Sequence, residues 1–278
     1  MNPNERSLLI TGCSSGIGYH CAHAMRARGW RVFASCRKQK DCDRLAAEGF
    51  EAPRIDYADE DSIARGLDSV LAATGGRLDA LFNNGAHACP GAVEDLPTEA
   101  LREILQVNVL GWHALTRRVL PVMRAQGHGR IVQNSSVLGY TPYRWRGAYG
   151  TSKFALEGLS RILQLEMSDT PIKVVLIQPG PITSKIRENA IPHFERWIDW
   201  ENSPRAEEYR ATLRPRLYEG GPKDRFELGP EAVQAALVKA LEHPNPRPRY
   251  TVTTPATFMA WAIRLMPDRM LVRFLARF

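Results

Sequence analysis

What this chain lacks narrows its function before any motif is read. No stretch reaches the roughly 18 apolar residues of a membrane-spanning helix. Met1 to Arg6 is polar, and no apolar core of signal-peptide length follows it. The five cysteines, Cys13, Cys21, Cys36, Cys42 and Cys89, are odd in number and include no Cys-x-x-Cys pair. Such spacing builds neither a disulfide framework nor a metal site, so no metal is expected and reduced thiols in a cytoplasmic protein are the simplest account. No long Lys/Arg run occurs before about residue 180, and no zinc-finger spacing occurs at all. The net charge of +7 therefore gives no support to nucleic acid as a partner, whereas a ligand carrying phosphates would also be drawn to it. The remainder is ordinary for a soluble α/β domain: 278 residues, 44% hydrophobic and 24% charged.

Short apolar runs alternate with helical patterns through the first two thirds of the chain. Ser7–Ile10, Trp30–Ala34, Arg54–Asp56, Leu78–Phe82, Arg130–Gln133 and Lys173–Ile177 read as strands, with Arg249–Val252 as a last one. The alternation predicts an α/β fold, a Rossmann-type doubly wound parallel sheet, as a single domain. Thr11-Gly12-Cys13-Ser14-Ser15-Gly16-Ile17-Gly18 follows the first run and opens a helix. Glycines there let the backbone approach a ligand, and the amides at the helix start favour a pyrophosphate. The spacing is G-x-x-x-G-x-G rather than G-x-G-x-x-G. An NAD site places a carboxylate at the end of the second strand to hold the ribose 2′-OH. This chain has Ser35-Cys36-Arg37-Lys38 instead, which favours the 2′-phosphate of NADP over a merely solvated basic loop. Asp56 either accepts from an adenine amino group or caps the helix starting near Asp59. Leu78–Phe82 ends in Asn83-Asn84-Gly85-Ala86, again at the strand end where ligands of open sheets gather.

Tyr149-x-x-x-Lys153 carries the chemistry. In a helix the two side chains share a face, and an ammonium beside a phenol lowers the phenol pKa. Ser136 lies just beyond the Ile131-Val132 run, where its hydroxyl can hold the oxygen that Tyr149 protonates. Asn108 sits among apolar neighbours of a helical pattern from about Thr98 to Gln126; it is either a satisfied structural amide or a distortion that binds a water.

In these residues the chain resembles the short-chain dehydrogenase/reductase family, closely over about residues 7 to 184 and loosely to about 255. The family's glycine motif matches Thr11, Gly12, Gly16 and Gly18, and its tetrad matches Asn108, Ser136, Tyr149 and Lys153. The Asn-Asn-Ala-Gly turn matches at Asn83 and Asn84 but exchanges the two small residues. Segments such as T-G-C-S-S-G-I-G resemble the branch of 17β-hydroxysteroid dehydrogenases, retinol dehydrogenases and bacterial aldehyde reductases. The resemblance implies hydride transfer between NADP(H) and an apolar aldehyde or ketone, or the corresponding alcohol. It implies cofactor contacts from Gly12, Ser14, Ser15, Gly16, Ile17, Gly18, Arg37, Asp56, Asn83, Gly85, Tyr149, Lys153, Pro179, Gly180, Ile182 and either Thr183 or Ser184. Ser136 would hold the carbonyl oxygen, Tyr149 donate the proton, Lys153 lower the Tyr149 pKa and bind the nicotinamide ribose, and Asn108 hold a relay water. A homo-oligomer is implied as well. A 3-oxoacyl thioester reductase and a non-catalytic NADP(H)-binding regulator are the alternatives.

Two C-terminal segments complete the reading. About 185–228 has the place of a helical substrate lid, and its Phe194, Trp197, Trp200 and Tyr209 either face a bulky apolar substrate or pack the lid on the core. About 256–278 reads as an amphipathic tail. Phe258, Trp261, Ala262, Leu265 and Met266 form one face, and Leu271, Phe274, Leu275 and Phe278 another, opposite Arg269, Arg273 and Arg277. This tail covers the lid or a neighbouring subunit, lies in a membrane interface as a peripheral contact, or has no role. Asp268 is placed to cap its second helix.

Overall fold

The computed structural model describes residues 6–220 and 225–277. Six parallel strands form one sheet: β1 (Ser7–Ile10), β2 (Arg31–Ala34), β3 (Ala80–Asn83), β4 (Gly129–Asn134), β5 (Ile172–Pro179) and β6 (Arg249–Val252), in the order β2-β1-β3-β4-β5-β6. Successive strand residues face opposite layers, as a two-residue side-chain period requires. Leu8, Ile10, Ala80, Phe82, Val175 and Ile177 pack on one side with α1 (Gly16–Ala27), α2 (Gln39–Ala47) and α10 (Glu231–Glu242). Leu9, Phe33, Leu81, Ile131 and Val174 pack on the other with α3 (Glu60–Thr74), α5 (Gly111–Gln126) and α6 (Gly147–Glu166). Strands buried on both faces have no polar side to show, so they read as continuous apolar runs. The fold is the doubly wound parallel sheet expected.

The expected third strand is not a strand. Arg54–Asp56 makes only a single bridge, Cys36 with Arg54, beside a second between Phe33 and Glu51. The segment is stopped by an Asx turn in which Asp56 Oδ1 accepts from Ala58 N–H. The next helix is capped by Asp59, which accepts from the amides of Asp61 and Ser62, so Asp56 is not the cap. The long helix expected from Thr98 to Gln126 is also interrupted. It consists of α4 (Thr98–Leu105), a π turn (Gln106–Leu110) and α5.

The lid comprises α7 (Ile186–Trp197), α8 (Ala206–Glu208), a second π turn (Tyr209–Leu213) and α9 (Arg214–Tyr218). Phe194 and Tyr209 are fully buried with Ile198, Leu213 and Leu217 in a third cluster. These two aromatics fix the lid to the core and do not face a substrate. Tyr209 donates to Asp95 Oδ2 at 2.7 Å and accepts from the Ala92 amide at 2.7 Å.

The tail forms α11 (Thr254–Leu265) and α12 (Asp268–Leu275). Its expected inward face is turned around. Ala256, Met259, Ala260 and Ala262 are buried, while Phe258, Trp261 and Leu265 are exposed. Small residues let α11 approach β6, and the bulky ones are left outside. α11 packs on β6 and on the turn Val137–Gly139, not on the lid. Pro267, rather than Asp268, occupies the N-cap of α12, and Phe278 lies outside the described residues. No helix among the described residues is long and apolar enough to cross a membrane.

Candidate active site

The strand order reverses between β1 and β3, and ligands of open α/β sheets bind in the crevice outside the strand ends at such a point. Both turns there are glycine-built. Gly12 (φ 69°) and Gly16 (φ 58°) hold the left-handed conformation. A Cβ on Gly12 would lie 2.5 Å from Gly85 Cα, and one on Gly18 would lie 2.3 Å from the Gly12 carbonyl oxygen. The Gly85–Ala86 exchange fits this contact, since Gly85 faces Gly12 and its carbonyl accepts from Trp112 Nε1 at 2.8 Å. Thr11 Oγ1 accepts from the amides of Asn84 and Gly85, at 2.9 and 3.2 Å, and so locks the two turns together. Ser15 precedes α1 without capping it by its side chain, leaving the first amides of the helix to an anion. Ser14, Ser15 and Ile17 lie in this turn. The edge therefore fits a dinucleotide pyrophosphate.

Asn83 does not offer its side chain to that edge. It is fully buried, and its Nδ2 donates to Thr116 Oγ1 and Gln133 Oε1 while its Oδ1 meets the Tyr57 hydroxyl. Arg37 lines a surface depression with Lys38, Gln39, Arg54 and Asp56. Arg54 donates through Nε to the Arg37 carbonyl at 3.0 Å and adds a third cation that sequence reasoning missed. Its signal was spatial, through the Cys36–Arg54 bridge.

Beyond β5, Pro179 closes the strand and Gly180 donates to the Val252 carbonyl at 2.9 Å. Ile182 bridges Leu228. The alternatives Thr183 and Ser184 now differ. Thr183 donates its hydroxyl to Glu227 at 2.7 Å, whereas Ser184 Cβ lies beside the glycine turn, 3.3 Å from where a Cβ on Gly16 would stand. Ser184 is the residue of the pair that borders the cofactor crevice.

Tyr149 and Lys153 lie one turn apart on α6. Lys153 is buried; its Nζ donates to the Asn134 carbonyl at 2.9 Å, 4.4 Å from the Trp112 ring and 5.6 Å from the Tyr149 ring. The expected lowering of the tyrosine pKa by this lysine is not present. Burial pushes the Tyr149 phenol up to about 12, with the Ser136 hydroxyl and then Arg146 pulling it back. Burial pushes Lys153 down to about 7, against the pull of Glu157. In a dry site desolvation outweighs their mutual attraction. Ser136 Oγ accepts from the Leu138 amide at 3.1 Å, which leaves its proton to donate. Asn108 sits in the π turn, fully buried; it accepts from the His87 amide and donates to the His87 carbonyl and Ser152 Oγ. Ser152 in turn donates to the Tyr149 carbonyl at 2.7 Å. The amide and the distortion thus occur together, and the side chain braces α6 against the loop after β3.

Glu103 latches the lid to α4, meeting His193 Nδ1 at 3.1 Å and Arg196 at 3.2 Å. His87 stacks on His193 at 4.1 Å and 18°, and burial pushes it down to about 3, so it is neutral. Ligand atoms of His87, Glu103 and His193 lie within 4.8 Å of one another. Rings stacked face to face cannot both hold one ion in their planes, so the group is arranged as a latch.

A tyrosine with a serine hydroxyl beside it, next to a turn that fits a dinucleotide pyrophosphate, is the arrangement a nicotinamide-dependent oxidoreductase requires. The family model for short chain dehydrogenases matches residues 6–193, and the chain belongs to the short-chain dehydrogenase/reductase family. It is 36% identical over 275 residues to the uncharacterized oxidoreductase YbbO of Escherichia coli, covering 98% of this chain and 94% of the relative. It is 31% identical to human 17-beta-hydroxysteroid dehydrogenase type 1, covering 88% and 77%. It is 30% identical to an NADPH-dependent 3-dehydrocapnine reductase of Ornithobacterium rhinotracheale, covering 96% and 94%.

Proposed function

We propose that the chain transfers hydride between NADP(H) and an apolar aldehyde or ketone, or the corresponding alcohol. The observation that carries the cofactor choice is the depression at the end of β2, where Arg37, Lys38 and Arg54 outnumber the single carboxylate, Asp56, whose Oδ1 already accepts from the Ala58 amide. Guanidinium groups pair with a phosphate through strong charge-assisted bonds. One relative is named for NADPH-dependent reduction. The apolar character of the substrate is supported by Ile186, Tyr218, Phe226 and Leu228, which stay exposed along the lid and its return segment.

Bound in the crevice, the reduced nicotinamide supplies the hydride. Ser136 donates to the carbonyl oxygen and positions it. Tyr149 delivers the proton to that oxygen, and takes it back when the reaction runs toward the ketone. Lys153, one turn on along the same face, holds the nicotinamide ribose rather than lowering the Tyr149 pKa. Asn108 keeps α6 at its distance from β3, so that Tyr149 and the cofactor edge stay in register.

NADPH absorbance, followed with a panel of aldehydes, steroids, retinoids and 3-oxoacyl thioesters, tests the reading. Turnover of apolar aldehydes or ketones with NADPH, and much less with NADH, is expected. Selective turnover of the thioesters would move the assignment to acyl reduction. Tight NADPH binding with no turnover would leave a sensor.

A further inference from the structure

Trp145 adopts φ 63°, one of two non-glycine residues in the left-handed region among those described. A bulky side chain rarely sits there, and such strain persists only where surrounding contacts enforce it. Here they do. The Trp145 carbonyl accepts from the Gly91 amide at 3.0 Å, and its ring lies 4.6 Å from that of Tyr209, the lid residue anchored to Asp95. The bend delivers Arg146 to the start of α6, three residues before Tyr149 and so on the same face of the helix.

Arg146 is left in that position without a partner. Among the described residues no carboxylate stands within ion-pair distance of it, and it donates to no acceptor. Burial is the chief influence on its charge, lowering its pKa to about 10, and the like charges of Arg216 on α9 and Arg187 on α7 add to it. Arg187 reaches only the Gly220 carbonyl, at 2.9 Å. The neighbouring arginines are treated differently. Arg144 meets Glu208, Arg196 meets Glu103, Arg205 meets Glu94 and Arg210 meets Glu207. Each of these outer arginines has a carboxylate partner, while among the described residues none stands within ion-pair distance of Arg146, Arg187 or Arg216.

We propose that Arg146, with Arg187 and Arg216, forms a subsite for an oxyanion carried by the substrate itself. The anion is a carboxylate, sulfonate or phosphate a few bonds from the reacting carbonyl. This rests on the hydride-transfer reading given above. A half-buried guanidinium without a counter-ion is costly, and a planar fork of donors binds such an oxyanion through two parallel bonds. The cofactor's phosphates are provided for elsewhere, at the glycine turn and at Arg37 and Arg54. Apolar side chains of the lid and its return segment, Ile186, Tyr218, Phe226 and Leu228, stay exposed. A substrate that satisfies both is an amphiphile, with an alkyl or acyl chain under the lid and an anionic head at Arg146.

Matched substrates test this: 3-oxodecanoate against its methyl ester, and 1-hydroxy-2-decanone against its phosphate ester, each assayed with NADPH. The wild type should favour the anionic member by roughly ten- to hundredfold in kcat/KM, carried mainly by KM. Arg146→Gln should erase that ratio and Arg146→Lys restore part of it, while Arg102→Gln, on an exposed turn of α4, controls for the loss of a positive charge. Equal use of both members by the wild type, or a ratio that survives in Arg146→Gln, overturns the subsite and leaves the hydride-transfer reading intact. If no carbonyl compound is reduced, that reading fails, and calorimetry with decanesulfonate decides the subsite separately. Binding to the wild type that Arg146→Gln abolishes upholds it. No binding to the wild type, or equal binding to the variant, ends it, and the same titration serves if the variants' turnover is lost through misfolding.

Discussion

The cofactor edge and the lid are held by opposite means. At the edge, backbone meets backbone: Gly12 against Gly85 and Gly18 against Gly12, with no room for one added carbon. In the lid, long side chains reach across space: Tyr209 to Asp95, Glu103 to His193 and Arg196. An edge of the first kind has one acceptable sequence, while a lid of the second kind has many. The difference teaches where specificity can diverge while the chemistry stays, because only the lid can be rebuilt without losing the turn that seats the cofactor.

Tyr149→Phe should have the largest effect, since it removes the hydroxyl proposed to donate the proton. Turnover should fall by about 10²–10⁴-fold while NADPH binding, followed by fluorescence titration, stays near normal. A rate above about a tenth of wild type would remove Tyr149 from the acid role. Gly18→Ala should come next, destabilising the protein by about 3 kcal/mol in urea as the Cβ meets the Gly12 carbonyl. Gly158→Ala, in an open position of α6, serves as its opposite and should be neutral or stabilising by roughly 0.5–1 kcal/mol. Equal effects from the two would erase the contrast drawn for the edge. Tyr209→Phe leaves the Ala92 amide without its acceptor and the half-buried Asp95 Oδ2 with only the Ser203 hydroxyl; a loss of about 1–3 kcal/mol is expected, with NADPH affinity unchanged. A shift in cofactor affinity as large as the loss of stability would mean that lid and edge act as one unit. Arg37→Ala should weaken NADPH about tenfold and leave NADH nearly untouched, read by titrating both cofactors. The smallest effect is expected from ending the chain after Met266. α12 has no buried side chain, and its removal should change the unfolding midpoint by less than about 0.5 kcal/mol equivalent.

The same contrast explains what could be read beforehand. The glycine turn and the Tyr149–Lys153 pair were legible because their chemistry is satisfied within a few residues, where spacing is visible. Arg54 joins Arg37 through the Cys36–Arg54 bridge and a hydrogen bond to the Arg37 carbonyl, and Tyr209 finds Asp95 from 114 positions away. Neither leaves a mark on local sequence. The missing strand at Arg54–Asp56 shows the converse limit: apolar content suggested pairing, but the turn at Asp56 ended it after one bridge. The tail misled for a related reason. Its periodicity was correct, but the buried face is the one carrying alanines, because close approach to β6 favours small residues. The tuning of Tyr149 was misjudged because a pair of residue names says nothing about how dry their surroundings are.

All five cysteines are buried in this fold. Burial pushes Cys21 and Cys36 up to about 12 and Cys89 up to about 11, and it raises Cys13 and Cys42 as well. Since the thiolate is the form that reacts, the folded chain should be silent toward maleimides at neutral pH. It behaves as a cysteine-free background without any residue having been removed. A single cysteine introduced at Glu207, whose side chain is 88% exposed on the lid, would then carry a fluorophore alone and report lid position during turnover.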